Sequence, residues 1–202
     1  MKKLSLIALV VLFAISASAQ VQFGIKAGLN IANQKASSSG MSFSPKSLVG
    51  FHVGAIADFA VGEKFAIQPG LLFSQKGCKA DVDGTTYTDT YNYLDIPINA
   101  VYKIDAGGVK VLLNAGPSIS FALSAKEKGG GISENLLGSE DGQAKSLDFG
   151  FGIGGGLQFG SVVASLNYNF GLANIMHVPS GSDATLKNNV FSISLAYMFG
   201  GK

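Results

Sequence analysis

Four groups of residues have the types and spacing to do chemistry. GFGIGGGLQFG, residues 150–160, carries a literal G-x-G-x-x-G at Gly150, Gly152 and Gly155, the spacing with which a backbone loop cradles a pyrophosphate. IMHVPSGSD brings together His177, Ser180, Ser182 and Asp183, the residue types of a nucleophile oriented by a base and an acid. DVDGTTYTD offers Asp81, Asp83 and Asp89 as hard oxygen ligands for a divalent cation. Cys78, in KGCKAD, is the only thiol in the chain.

The elements that would hold these residues decide among the readings. A dinucleotide loop needs a strand before it, a helix after it and an acidic residue about 20 positions on. Here an alternation of apolar and other residues runs through the glycines, and Gln158–Phe170 reads as strand again. A triad is defined by geometry rather than composition, and Ser and Asp are ordinary loop residues. In DVDGTTYTD the glycine falls fourth, not sixth as a calcium loop requires, so Asp83-Gly84 is expected to be a turn. One cysteine excludes an internal disulfide framework, and with no His or second Cys beside it Cys78 reads as a free thiol in a loop. No catalytic residue, cofactor or metal is expected.

Period two is the dominant pattern. In VQFGIKAGLNI, Val21, Phe23, Ile25, Ala27, Leu29 and Ile31 alternate with Gln22, Gly24, Lys26, Gly28 and Asn30, the signature of a strand with one apolar face. The pattern recurs at 48–60, 64–76, 92–103, 109–121, 147–159, 162–170 and 189–199, which gives eight strands. No apolar face among them carries a charge. The connections alternate too. Those at 61–63, 104–108 and 160–161 are short, whereas 32–47, 77–91, 122–146 and 171–188 are long and rich in Ser, Gly, Asp and Lys. Leu136-Leu137-Gly138, within the third long connection, is a candidate contact for a partner. Short turns at one end and long polar loops at the other are the layout of an outer-membrane barrel.

The beginning of the chain has a different pattern. Lys2 and Lys3 precede an apolar run, Leu4–Ile15, and Ala17-Ser18-Ala19 is a small-x-small cleavage signature. Residues 1–19 therefore read as a cleaved secretory signal peptide, and 20–202 as one barrel domain. The run is too short to cross a bilayer as a helix, which takes about 20 residues. With 15 basic and 13 acidic residues and no arginine, the chain lacks the basic stripe of a nucleic-acid partner. It is 47% hydrophobic and 14% charged, so a large apolar surface must be hidden in a core or in lipid.

Glycine separates a barrel in lipid from one in water. Gly150, Gly152, Gly154 and Gly156 share the polar side of their strand, as do Gly24, Gly28, Gly50 and Gly54 on theirs. A water-facing strand gains nothing from glycine, whereas the interior of a narrow barrel needs small residues beside large ones. The glycine side is therefore the lumen and the Phe/Ile/Val/Leu side faces lipid. The fold expected is all-β: an eight-stranded antiparallel transmembrane up-and-down barrel. Lys26, His52, Asp58, Asp95, Asn99, Lys110, Asn114 and Asp148 then point inward, as a packed polar network or along a narrow path for ions or small solutes. His52 is placed near the outer end of its strand. Pro69, Pro97 and Pro117 interrupt predicted strands, and a bulge is expected at one or more of them.

Several segments resemble the outer-membrane β-barrel family of Gram-negative bacteria often labelled PorT-like or "porin family": FGIKAGLNIAN, AIQPGLLFSQKG, YNYLDIPINAVYK, NAGPSIS, DFGFGIGGGLQFG and YNFGLANI, from Phe23 to Ile175. The resemblance implies an eight-stranded barrel in outer-membrane lipid, delivered there by the barrel-assembly machinery. It brings no catalytic motif. Some members are linked to protein secretion, which implies an extracellular or secretion-system partner. The chain departs from the pattern at its end, where Gly200-Gly201-Lys202 follow the aromatic Phe199.

Overall fold

Alternating β-branched and aromatic residues favour extended backbone, and among the described residues they form ten strands. The computed structural model describes residues 21–38, 41–43 and 45–200; the expected signal peptide, 1–19, lies outside them. The strands are β1 (Val21–Ser38), β2 (Met41–Phe43), β3 (Lys46–Ala60), β4 (Phe65–Val82), β5 (Thr85–Asp105), β6 (Lys110–Gly129), β7 (Ile132–Asn135), β8 (Leu147–Phe159), β9 (Val162–Gly171) and β10 (Thr185–Phe199). Eight of them, all but β2 and β7, pair antiparallel with their neighbours in chain order, and β10 returns to β1. The sheet is thus a closed up-and-down barrel of eight strands. β2 and β7 add short edges to β1 and β6 at the end with the long connections.

Register lines up the exposed apolar side chains of neighbouring strands on one face. Leu29 stands between Phe51 on β3 and Ile193 on β10, and Ile153 between Ala115 on β6 and Tyr168 on β9. These side chains point away from the barrel: Leu166 is 52% exposed and Phe23 62%. A continuous apolar wall is untenable in water, and here it rings the molecule.

The glycines face inward, but the reason differs from simple crowding across the lumen. A Cβ on Gly28 would collide with the Ile193 carbonyl oxygen and the His52 ring, and one on Gly154 with the Leu166 carbonyl and the Asn167 side chain. The obstacle is mostly the adjoining strand, which the tilt of a narrow barrel brings over the glycine.

Three expectations are corrected. The strands run well past the apolar band. Residues 77–91 are not a loop but the upper part of the β4–β5 hairpin, closed by Asp83 and Gly84, both at positive φ (48° and 78°), as a tight primed turn demands. The prolines cause no bulge. Pro69 faces Ile98, Pro97 faces Ser118 and Pro117 faces Phe151, with the same register on either side of each. A proline there removes a donor without adding a residue. The register shifts lie between Ser47 and His52 on β3 and at Asn92/Tyr93 on β5, where Leu123 of β6 has no opposite residue. Cys78 is not in a loop either: it is buried on the inner side of β4, where its Sγ donates to Gln34 Oε1 at 3.1 Å.

The lipid-facing wall can be tested by depth. Leu166→Lys, in the middle of the band, is expected to lower stability by about 2–4 kcal/mol. Asn189→Lys, on the same outer surface but above the band, should cost about 0–1 kcal/mol. Urea unfolding of both variants in phospholipid vesicles measures the difference.

Candidate functional site

The inner face places its residues in three layers along the axis. The middle layer is polar. Lys26, His52, Asp95, Asn99 and Asn114 line one cavity of about 90 Å³, together with Asn30 and Lys76 among others. That is room for a few water molecules. Asn30 is the hub. Its Nδ2 donates to Ser74 Oγ at 3.1 Å and to the Gln75 carbonyl at 3.0 Å, and its Oδ1 accepts from Ser192 Oγ at 2.8 Å. His52 Nδ1 lies 2.9 Å from the same Oδ1, and Nε2 lies 3.0 Å from Ser194 Oγ. An amide oxygen only accepts, so Nδ1 carries the proton and Nε2 accepts from the Ser194 hydroxyl. His52 therefore sits in mid-lumen, opposite Gly28 and Ser74, rather than near the outer end of its strand.

Asp95 in this layer is paired by a residue that the sequence pattern did not single out, whereas no ion pair joins Lys26 to a described residue. Lys76 Nζ donates to Asp95 Oδ1 and to Ser120 Oγ, both at 3.0 Å, and lies 4.7 Å from the centre of the Tyr93 ring. The Lys76 and Asp95 side chains are 6% and 15% exposed. Asp58 stands nearer the short-turn end, where it accepts from Lys103 and from Gln68 Nε2. Asp148 stands nearer the other mouth, where Oδ2 accepts from Asn188 Nδ2 at 2.9 Å. Lys110 does not join the network: it is exposed at the short-turn mouth, opposite Asp105 and Gln158. Lys76, Lys103 and Asn30 all lie on inward positions of the period-two pattern. What the pattern lacks is the cross-strand register that makes them partners.

The two flanking layers are apolar. Toward the short turns, Ile56, Leu72, Ala196 and Met198 form one buried cluster and Ala66, Val101 and Leu112 another, with Val163 packed against both. Toward the long connections, Tyr91 and Tyr93 stack at 6.1 Å and pack with Ala125, Ala144 and Ile175. Two loop segments fold over that mouth. Lys145 N donates to the Ile175 carbonyl and His177 N to the Gln143 carbonyl, each at 2.8 Å. Leu136 and Leu137 pack against this cap rather than projecting toward a partner. The lumen is thus a polar chamber closed by an apolar layer on each side.

The other chemical candidates disperse. Gly150, Gly152 and Gly155 lie within β8, which runs on by a tight turn into β9. His177 engages the cap through its backbone, and the Ser182 hydroxyl accepts from the Ala184 N–H at 3.2 Å. Asp81 and Asp89 lie on opposite faces of the β4–β5 hairpin: Asp81 accepts from Lys46 and Thr86 outside, while Asp89 lies beside Cys78 inside. The Lys46 and Thr86 hydrogen bonds hold the Asp81 carboxyl below the usual carboxylate range. That exposed clasp is complete at neutral pH and opens only as pH falls through the lowered value.

A family model described as "Outer membrane protein beta-barrel domain" matches residues 13–177. The chain belongs to the outer membrane β-barrel domain family. It is an outer-membrane protein whose apolar wall sits in membrane lipid. Solved structures of similar fold include the attachment invasion locus protein Ail of Yersinia pestis, at 17% identity over 89% of this chain and 99% of that one, with a TM-score of 0.47. Neisserial surface protein A is 18% identical over 88% and 97%, with a TM-score of 0.49. A major outer membrane protein of Thermus thermophilus is 15% identical over 89% and 100%, also at 0.49. No curated protein matches the chain.

The buried pair gives this barrel a sharp test. Lys76→Met strands the Asp95 carboxylate and should cost about 3–5 kcal/mol. Adding Asp95→Asn removes the orphaned charge and should recover much of that loss. Urea unfolding of the two variants in vesicles measures both.

Proposed function

We propose that this outer-membrane barrel is a non-enzymatic surface protein that acts through its extended outer hairpins, while the barrel serves as a rigid mount. One observation carries the reading. β4, β5 and β6 continue beyond the outermost residues of the apolar wall, Phe73, Leu94 and Leu123, to Val82, Thr85 and Gly129, as one paired sheet extended by β7. Ordered, hydrogen-bonded hairpins standing clear of the bilayer present a fixed surface to the exterior, at the side where long connections belong in such barrels. The apolar layers above and below the chamber weigh against the channel reading, since open aqueous pores belong to barrels of about 16–18 strands. The reading includes export by cleavage after Ala19, folding of residues 20–202 as the barrel, insertion by the barrel-assembly machinery, and kinship with the PorT-like group. In that group an accessory role in secretion would use the same hairpin surface.

Replacing residues 79–88 by a two-residue Asn-Gly turn tests the proposal. The trimmed barrel should still reach the outer membrane and shift on heating in a denaturing gel. The full-length barrel should confer surface attachment on cells that carry it and the trimmed barrel should not, and neither protein should give single-channel steps in planar bilayers. Undiminished attachment by the trimmed barrel, or regular conductance steps from the full-length one, would overturn the reading.

A further inference from the structure

The outward-facing residues change character above the apolar band. On β1 and β10 the last apolar pair is Ile31 and Phe191, followed by Asn33 and Asn189, then Lys35 and Lys187 directly opposite one another. On β5 and β6 the order is Leu94 and Phe121, then Asn92 beside Ser124 and the exposed, unopposed Leu123, then Thr90 and Lys126, then Thr88 and Lys128. Lysine therefore appears in the second row above the band on two walls. In the ring order, β3 and β4 separate these walls on one side and β8 and β9 on the other, so they lie across the barrel from each other.

Three observations make these lysines more than solubilising decoration. Like charges directly opposite across a ladder are destabilising, and Lys35 and Lys187 adopt that arrangement. None of Lys35, Lys126, Lys128 and Lys187 has an ion-pair partner among the described residues, whose salt bridges all lie elsewhere. Of the neighbouring carboxylates, Asp89, Glu127 and Glu134 stand in one cross-strand row on the inner face, and Asp81 on the outer face is taken by Lys46 and Thr86. The β6 lysines also have a cavity. Lys126 and Lys128 line a recess of about 350 Å³ with Gln75, Thr90, Asn92 and Ser124. Gln75 donates to Asn92 at 3.2 Å and Asn92 to Ser124 at 2.9 Å, which makes a polar floor directly on top of the lipid-facing wall.

Height selects the occupant. Two rows up a strand at about 3.3 Å per residue, tilted by about 40°, rise about 10 Å along the membrane normal. A lysine at that level can bend its ammonium toward the headgroups while its stem stays over apolar surface. We propose that Lys126 and Lys128 with their recess, and Lys35 with Lys187 across the barrel, bind phosphate groups of anionic lipid in the outer leaflet. The phosphate oxygens supply the negative charge that these lysines lack within the protein, and the amide-lined floor receives the sugar or glycerol part of the headgroup. Lipid bound on opposite walls fixes the height and tilt of the barrel.

The test uses the full chain folded into phosphatidylcholine vesicles with or without lipid A. After detergent extraction, lipid A per folded barrel is counted by mass spectrometry, with the heat-induced gel shift as the control for folding. Wild type should carry lipid A. K126Q/K128Q and K35Q/K187Q should each reduce retention, by about fivefold per lysine removed, and added salt should lower the wild-type value. The corresponding Lys→Arg variants should retain it, and K64Q/K110Q, at the short-turn end, should match wild type. Equal retention by the Lys→Gln variants and wild type, no retention by wild type, or an equal loss in K64Q/K110Q would overturn the proposal. Preference of the wild type for a soluble polyanion such as heparin over lipid A would also overturn it.

Discussion

The fold depends on the ladder between β1 and β10. In hydrocarbon every unpaired backbone N–H or C=O costs several kcal/mol, so a spanning sheet must leave no edge. Fifteen residue pairs from Phe23↔Phe199 to Ser37↔Thr185 close that seam. It joins strands at opposite ends of the described chain, and nothing else in the structure could bury those two edges at once. The apolar wall, the polar chamber and the protruding hairpins all follow from closure.

Closure also dictates what the inside must be. A ring of eight strands leaves a space that side chains nearly fill, and half the residues of every strand must enter it. Where side chains cannot enter, glycine stands, as at Gly28 and Gly154 beneath neighbouring backbone. Where they are polar they need partners, because water is scarce. Asn30, Lys76 and Asn188 meet that need with several bonds each. The apolar layers around Val163 and around Tyr93 shield those bonds from competition by bulk water.

Much of this is legible in the sequence because a sheet facing lipid on one side writes itself at period two. Phe23 to Ile31 and Phe191 to Phe199 announce both face and strand. The pattern is blind to strand length once lipid ends. Thr85 to Asn92 are polar on the outward positions and resemble loop in composition, yet they continue a ladder that pairs them with β4. It is equally blind to which inward residues meet. Asp58 and Lys103 are 45 positions apart, and only the register of intervening strands brings them together. The prolines mislead because a lost donor is easily equated with an extra residue.

The unopposed Leu123 sets the phase of everything beyond it. Before it, the even-numbered residues of β6 such as Ser118 and Ser120 point inward; after it, Ala125 and Glu127 do, and Lys126 and Lys128 point out. One residue thus decides which half of the outer segment meets the exterior and which half meets the cap. Loss of that residue in a descendant would exchange the two sets at a stroke, turning the lysines in and the carboxylate out, while leaving the membrane-embedded part of the strand untouched. Length changes of two residues beyond the bulge would preserve the pattern. The outer hairpins of this barrel are therefore free to lengthen or shorten in even steps and are constrained against odd ones.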